Sequence, residues 1–327
     1  MTFDECVDYW HETRISNREV ERYTADRSKR CALMFSQFFG NKQISKIKAA
    51  DVIDAMNAIR GSGSAYRGDY TESTIRKFYI YAKAAIEFCI QSEKEKGPNP
   101  FNKVKRPKVE KHNARFLTPE EAVETTKIAR NEYLSHIVIG DVVTAGFWLA
   151  VCIALGTGAR RGEIFALEWQ HVDLDEKKIS IVQAIKGGYA NEIGGPKSRS
   201  SIRQISIGDG LTMLLASQKK TFETIFSDGR DMSEIRVLCD TSGKYVSMNT
   251  FEHWWRMQGA PRIGKPELRF HELRHTHATL LIANGVDVKT VQTRLGHSDA
   301  EITLNTYTHA LPEKDLEAGE QIDKELF

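Results

Sequence analysis

Phe270-His271-Glu272-Leu273-Arg274-His275-Thr276-His277 admits two readings that lead to different folds. On a helix His271 and Arg274 stand three residues apart and share a face, so both can donate to one anion. The same letters spell H-E-x-x-H, in which His271 and His275 ligate zinc, Glu272 acts as base and His297 serves as a third ligand. Arg274 separates the two. On the metal-facing side its fixed positive charge opposes a dication, whereas a rigid guanidinium fork suits phosphate oxygens. The zinc reading also leaves three other segments unused.

The first is Gly156-Thr157-Gly158-Ala159-Arg160-Arg161-Gly162-Glu163. Its Gly-Thr-Gly turn lets the backbone swing into a helix that starts at Arg160. Glu163, one turn on, can lie beside Arg160 and hold its guanidinium for a phosphate. A surface ion pair would have the same letters, so this segment alone decides nothing. The second is Pro196-Lys197-Ser198-Arg199-Ser200-Ser201-Ile202-Arg203, between alternating patterns at 178–184 and 203–207 that read as strands. A lysine on such a hairpin can enter a DNA groove and protonate a leaving oxygen, although basic hairpins are usually only solvated.

The third is Leu295-Gly296-His297-Ser298-Asp299-Ala300-Glu301, followed by Asn305-Thr306-Tyr307. Gly296 ends one helix, and Ser298 with Glu301 makes a capping box for the next. His297 therefore sits at a helix junction, with Tyr307 about 15 Å further along at 1.5 Å per residue. A helix-borne tyrosine is ordinarily a core residue with a polar tip, and Tyr307 stands out only in this company.

Outside these segments the pattern is mostly helical. A capping box at Thr2 and Glu5 opens a helix through Trp10. A second helix carries Tyr23, Cys31, Met34, Phe35 and Phe38 to Gly40, a third spans 50–60, and a fourth spans 74–95. Gly97-Pro98-Asn99-Pro100 breaks the last. Thr118-Pro119-Glu120-Glu121 starts a new helix, and the uncharged run 142–159 reads as a buried core helix ending near Leu155 rather than a membrane span. A further helix is expected from 160 to 169. The fold class is thus mainly α with a small antiparallel sheet. A helical domain occupies 1–101, a basic linker 102–115, and an α+β domain 116–327 with a tail from about 312.

Composition excludes little. Lys+Arg 46 against Asp+Glu 44 gives a net charge of +2 over 327 residues, so charge placement matters more than its sum. In the linker, Lys103, Lys105, Arg106, Lys108, Lys111 and Arg115 face one acid, Glu110, which is either a solvated run or a strap along a phosphate backbone. Five scattered cysteines without a CxxC pair fit free thiols in a reducing cytosol, and the N-terminus lacks a signal-peptide layout.

Taken in order, the four segments resemble the tyrosine recombinase (phage integrase) family over about 116–309. Thr157-Gly158-Ala159-Arg160 resembles its first-arginine box. Lys197 falls at the hairpin lysine, although Ser198 stands where threonine is frequent. His271-Glu272-Leu273-Arg274-His275 resembles the second box, Leu295-Gly296-His297 the third, and Tyr307 falls at the nucleophile. The resemblance implies attack by Tyr307 on a scissile phosphate, giving a 3′-phosphotyrosine without ATP, metal or other cofactor. Arg160 and Arg274 stabilise the added charge, with Glu163 in support. Lys197 acts as general acid, His271 assists the proton of Tyr307, and His297 donates to the phosphate.

It further implies double-stranded DNA recombination sites as partner, with Lys103, Lys105, Arg106, Lys108 and Arg203 as DNA contacts and the two domains closing as a clamp. Four protomers act through a Holliday junction, with accessory bending or excision factors and a cytoplasmic, membrane-free location. The tail, with Leu316, Ile322 and Leu326 among acids, either docks on a neighbouring protomer or packs on its own chain. An additional arm-binding domain, found in larger members, is not expected, because Met1 directly precedes the first capping box. By analogy, integration or excision of a mobile element fits better than chromosome-dimer resolution. The alternatives are a zinc peptidase and a recombinase-derived DNA-binding protein that no longer cuts.

Overall fold

The capping box read at Thr2 and Glu5 forms, and it opens α1, Phe3–Ser16, which buries Phe3, Cys6, Val7 and Trp10 along one side. The computed structural model describes residues 1–63, 68–109, 115–185, 193–194, 202–227, 229–296 and 322–325. They divide into two units, Met1–His112 and Asn113–Phe327.

In the first unit, α2 (Arg22–Ala32) does not continue to Gly40 as the sequence suggested. It tightens into a 3-10 turn, Leu33–Phe35, before α3 (Ser36–Phe39). Phe35 and Phe39 both face the core, their rings 5.6 Å apart and stacked, with Phe101 edge-on to Phe35 at 5.3 Å. α4 (Ala49–Arg60) and α5 (Glu72–Gln91) complete the bundle, and the apolar stripe Ile75, Phe78, Tyr79, Ala82 and Ile86 is buried as its spacing predicts. The start of the expected linker packs here too: Val104 is buried, and the Tyr79 hydroxyl lies 2.8 Å from the Phe101 carbonyl and 3.0 Å from that of Val104. Lys103, Lys105, Arg106 and Lys108 stay exposed.

The second unit is built around α7 (Val142–Thr157), which runs beside α6 (Pro119–Val138) and is buried on nearly every side. An all-round apolar helix of this length satisfies its surface only inside a protein core. Among the described residues no helix is long and apolar enough to cross a membrane. The expected helix over 160–169 is shorter, α8 (Arg161–Phe165). Beyond it the chain turns to pair with 235–237, where Trp169 N–H donates to Ile235 O and Val237 N–H to Leu167 O.

β1 (Val172–Asp173), β2 (Lys178–Ile181) and β5 (Arg203–Ser206) form an antiparallel sheet in the order β1-β2-β5, with Ile179 opposite Ile205. The pattern at 178–184 splits: β3 (Ala184–Ile185) leaves for a separate pairing with β4 (Ile193–Gly194). α9 (Asp209–Ile225), α10 (Met248–Trp254), a π-helical turn at Trp255–Gly259 and α11 (Ala260–Arg262) follow. The aromatic rings of Phe147, Phe251, Trp254 and Phe270 gather beneath them. α12 (Glu272–Ala283) and α13 (Val288–Leu295) close the described fold.

Candidate active site

α7 ends where the sequence placed its turn. Gly158 adopts φ +66°, and a Cβ there would lie 2.6 Å from the His277 ring and 2.7 Å from Leu295, so only glycine fits. Thr157 Oγ1 donates to Ile153 O and accepts from Ala159 N–H, which fixes the turn. Arg160 then caps α8: its N–H donates to Glu163 Oε2 at 2.8 Å, and its Nη1 to Oε1 at 2.9 Å. The arginine is the half-exposed partner, at 37%, and the glutamate the buried one, at 4%.

Glu163 is shared. Arg203, from β5, donates to it through Nη1 at 3.2 Å and Nη2 at 2.8 Å. Burial opposes ionisation of Glu163, but bonding and charge from Arg203, then Arg160, outweigh it and hold the carboxyl below its ordinary range. Arg203, expected as a DNA contact, has a side chain 3% exposed, with Nε, Nη1 and Nη2 all bonded inside the protein.

The end of α13 draws the site together. A helix leaves its last carbonyls unpaired. Here Arg203 Nε donates to Arg294 O at 2.6 Å, Arg274 Nη2 to Leu295 O at 2.6 Å, and Arg160 Nη2 to Gly296 O at 3.1 Å. Three guanidiniums from three distant segments therefore hold three successive carbonyls, and their charge also complements the negative end of the helix dipole. Arg274 is anchored from behind, with Nη1 donating to Gly158 O at 2.7 Å. Arg160 and Arg274, expected to share one phosphate, thus bind adjacent carbonyls.

His271 stands at the head of α12, at its N-cap position. It reaches solvent, yet its pKa is pushed down to about 4, first by partial loss of hydration and then by His275, Arg274, Arg160 and Arg269. At neutral pH its ring is therefore neutral, and the surrounding cations disfavour its protonation. His277 is also held at about 4, mainly by burial. Its Nδ1 lies 2.7 Å from Leu155 O, a group that only accepts, so the proton sits on Nδ1. Nε2 is then bare and accepts from Arg294 Nε at 3.1 Å. Arg294 also donates to Gly156 O and Ser206 O.

Of the expected site residues, Arg160, Glu163, His271 and Arg274 come together, and Lys197, His297 and Tyr307 lie outside the described residues. The tail falls outside them as well, apart from 322–325. The zinc reading fails on Glu272. Its carboxylate is 2% exposed and accepts from Arg269 N–H, Nε and Nη2, so it is not available as a base. Sequence reasoning missed Arg294 and His277. Arg294 carried a signal, a cation in the last turn before a C′ glycine, but its partners Gly156, Ser206 and His277 are set only by the fold.

Comparison with known proteins bears on the family and the fold. The phage integrase family model matches residues 115–314. A tyrosine recombinase XerC-like protein of Caldanaerobacter subterraneus is 28% identical over 89% of this chain and 74% of its own length. The ICEBs1 integrase of Bacillus subtilis is 24% identical over 88% of this chain and 74% of its own. Among solved structures, the Tn1549 transposon integrase in complex with transposon right end DNA superposes with a TM-score of 0.70 at 20% identity, covering 99% of this chain and all of that one.

Proposed function

The chain belongs to the phage integrase family and is a tyrosine recombinase, and on that premise we propose how its residues divide the reaction. The Tyr307 hydroxyl attacks the scissile phosphorus. The new P–O bond to tyrosine forms as the bond to the 5′-oxygen breaks, leaving a 3′-phosphotyrosine and a free 5′-hydroxyl. Arg160 and Arg274 carry the negative charge that builds on the non-bridging oxygens. Lys197 gives its proton to the departing 5′-oxygen. His271, neutral in the free protein, takes the proton of Tyr307, and an arriving phosphate raises its low pKa toward the ordinary range. His297 donates to a phosphate oxygen. Religation to a different 5′-hydroxyl reverses the chemistry and needs no ATP.

The observation that carries this division is the meeting of Arg160 and Arg274 at adjacent carbonyls of the α13 end, immediately before His297 in the sequence. The substrate is double-stranded DNA at the ends of a mobile element, which the chain integrates or excises. The exposed Lys103, Lys105, Arg106 and Lys108 follow the phosphate backbone, and four protomers act together on two sites, with bending or excision factors setting direction.

The test is a nicked suicide duplex spanning the joined ends of a candidate element. Wild-type protein forms a covalent adduct whose attached nucleotide maps to one phosphate. Tyr307→Phe binds the same duplex and forms none; an adduct at wild-type yield in that variant defeats the assignment. A chain that binds and never cuts would instead be a recombinase-derived DNA-binding protein.

A further inference from the structure

Arg203 sits on β5 with its side chain inside the protein, and it touches two things that matter to the site. Two of its nitrogens grip Glu163, the carboxylate that also holds Arg160, and its Nε binds the carbonyl of Arg294. One planar fork thereby ties β5, the start of α8 and the end of α13. A lysine, carrying one ammonium, cannot reproduce that three-way geometry. The fit is close on the other side as well. Gly296 has φ +66°, and a Cβ there would stand 3.0 Å from Arg203 Nη1 and 3.3 Å from its Cδ.

Resting on the recombinase reading above, we propose that Arg203 is a positioning residue for DNA cleavage: it fixes the last turn of α13, and so the backbone leading into His297, against Arg160 and Arg274 without itself contacting the phosphate. A displacement of about 1 Å at a reacting centre is enough to cost on the order of 100-fold in rate. Apolar contact holds Leu295 and Val291 against Ala278 and Ile282, and the bond from Arg203 adds a direction at the Arg294 carbonyl that such packing does not supply.

The experiment uses the full chain and the nicked suicide duplex under single-turnover conditions. Arg203→Lys lowers the rate of adduct formation at saturating DNA about 100-fold, while the DNA dissociation constant stays within about threefold and the adduct endpoint is preserved. Gly296→Ala, which keeps the arginine but crowds it, gives the same pattern. A rate within about threefold of wild type in both variants overturns the proposal. So does a reduced endpoint at the wild-type rate in both, which reports fewer folded molecules and a merely structural role. Recovery of the Arg203→Lys rate on a duplex with an uncharged methylphosphonate at the scissile position also overturns it, since Arg203 would then be serving phosphate charge. Wild-type protein that makes no adduct, or Tyr307→Phe that makes one, removes the functional reading itself and is seen in the controls.

Discussion

Among the described residues the first unit buries no charged side chain, whereas the second buries four, Glu163, Arg203, Glu272 and Arg274. The first is held as most helical bundles are, by rings and aliphatic chains whose attraction depends on area and fit. The second keeps a similar apolar core around α7 and adds a layer in which guanidiniums meet carboxylates and helix-end carbonyls. Burying ions is costly, and apolar side chains of equal volume often stabilise as well or better. What the polar layer supplies is direction: a hydrogen-bonded fork specifies where its partners sit, and a packed methyl group does so only loosely. In the proposed reaction, that charge is buried where a phosphate has to be held to within a fraction of an ångström.

If this contrast is right, the two units respond oppositely to conservative replacement. In the first, Phe35→Ala costs about 3–5 kcal/mol of unfolding free energy, and Phe35→Leu recovers much of it because volume is what counts. Denaturant unfolding of both variants checks this, and equal losses would contradict it. In the second, keeping the charge is not enough. Arg274→Lys loses the paired bonds to Gly158 O and Leu295 O, and single-turnover cleavage falls about 10²–10³-fold although DNA binding persists. A Lys variant that cuts normally would mean that charge alone is needed and that the fork is incidental.

The same contrast explains what could be read from the sequence. The helices of the first unit follow from caps and apolar spacing, as at Thr2-Glu5 and along α5, because local chemistry and burial agree there. The departures occur where tertiary pairing overrules local pattern: α8 stops at Phe165 because 167–169 pairs with 235–237, and 178–184 divides because β3 has its own partner. For the site, Arg160, Glu163, His271 and Arg274 were legible because their spacing within short segments carries chemistry. Arg203 was expected at DNA, and its letters do not show that β5 turns it toward Glu163. Nothing in the letters around His277 marks it, and only the Leu155 carbonyl beside it fixes its tautomer.

That tautomer gives the next prediction. His277 has a folded pKa of about 4, below the ordinary value of 6.5. The fold therefore favours the neutral ring, and the associated stability is complete above pH 6.5 and lost as pH falls toward 4. The loss accrues at up to about 1.4 kcal/mol per pH unit, near 3 kcal/mol in all. Trp148, Trp169, Trp254 and Trp255 lie in this unit, so their fluorescence follows its unfolding. His277→Gln lowers stability at pH 7 and flattens the dependence between pH 6.5 and 4. An unchanged slope would place the acid sensitivity elsewhere.

The smallest effect belongs to the exposed cations, and it asks whether exposure and burial really separate two uses of arginine and lysine. Lys105 and Arg106 stand in solvent, where an isolated charge contributes little to folding. Against DNA each displaces condensed counterions, so Lys105→Ala and Arg106→Ala each flatten the slope of log affinity against log salt by about 1. Unfolding free energy is unchanged, and the loss lies in affinity and not in the rate once DNA is bound. Arg203 behaves in the reverse way, with rate lost and salt slope retained. Were Lys105→Ala to slow cleavage at saturating DNA, or Arg203→Lys to flatten the salt slope, the division between cations that hold DNA and cations that hold the protein around it would not stand.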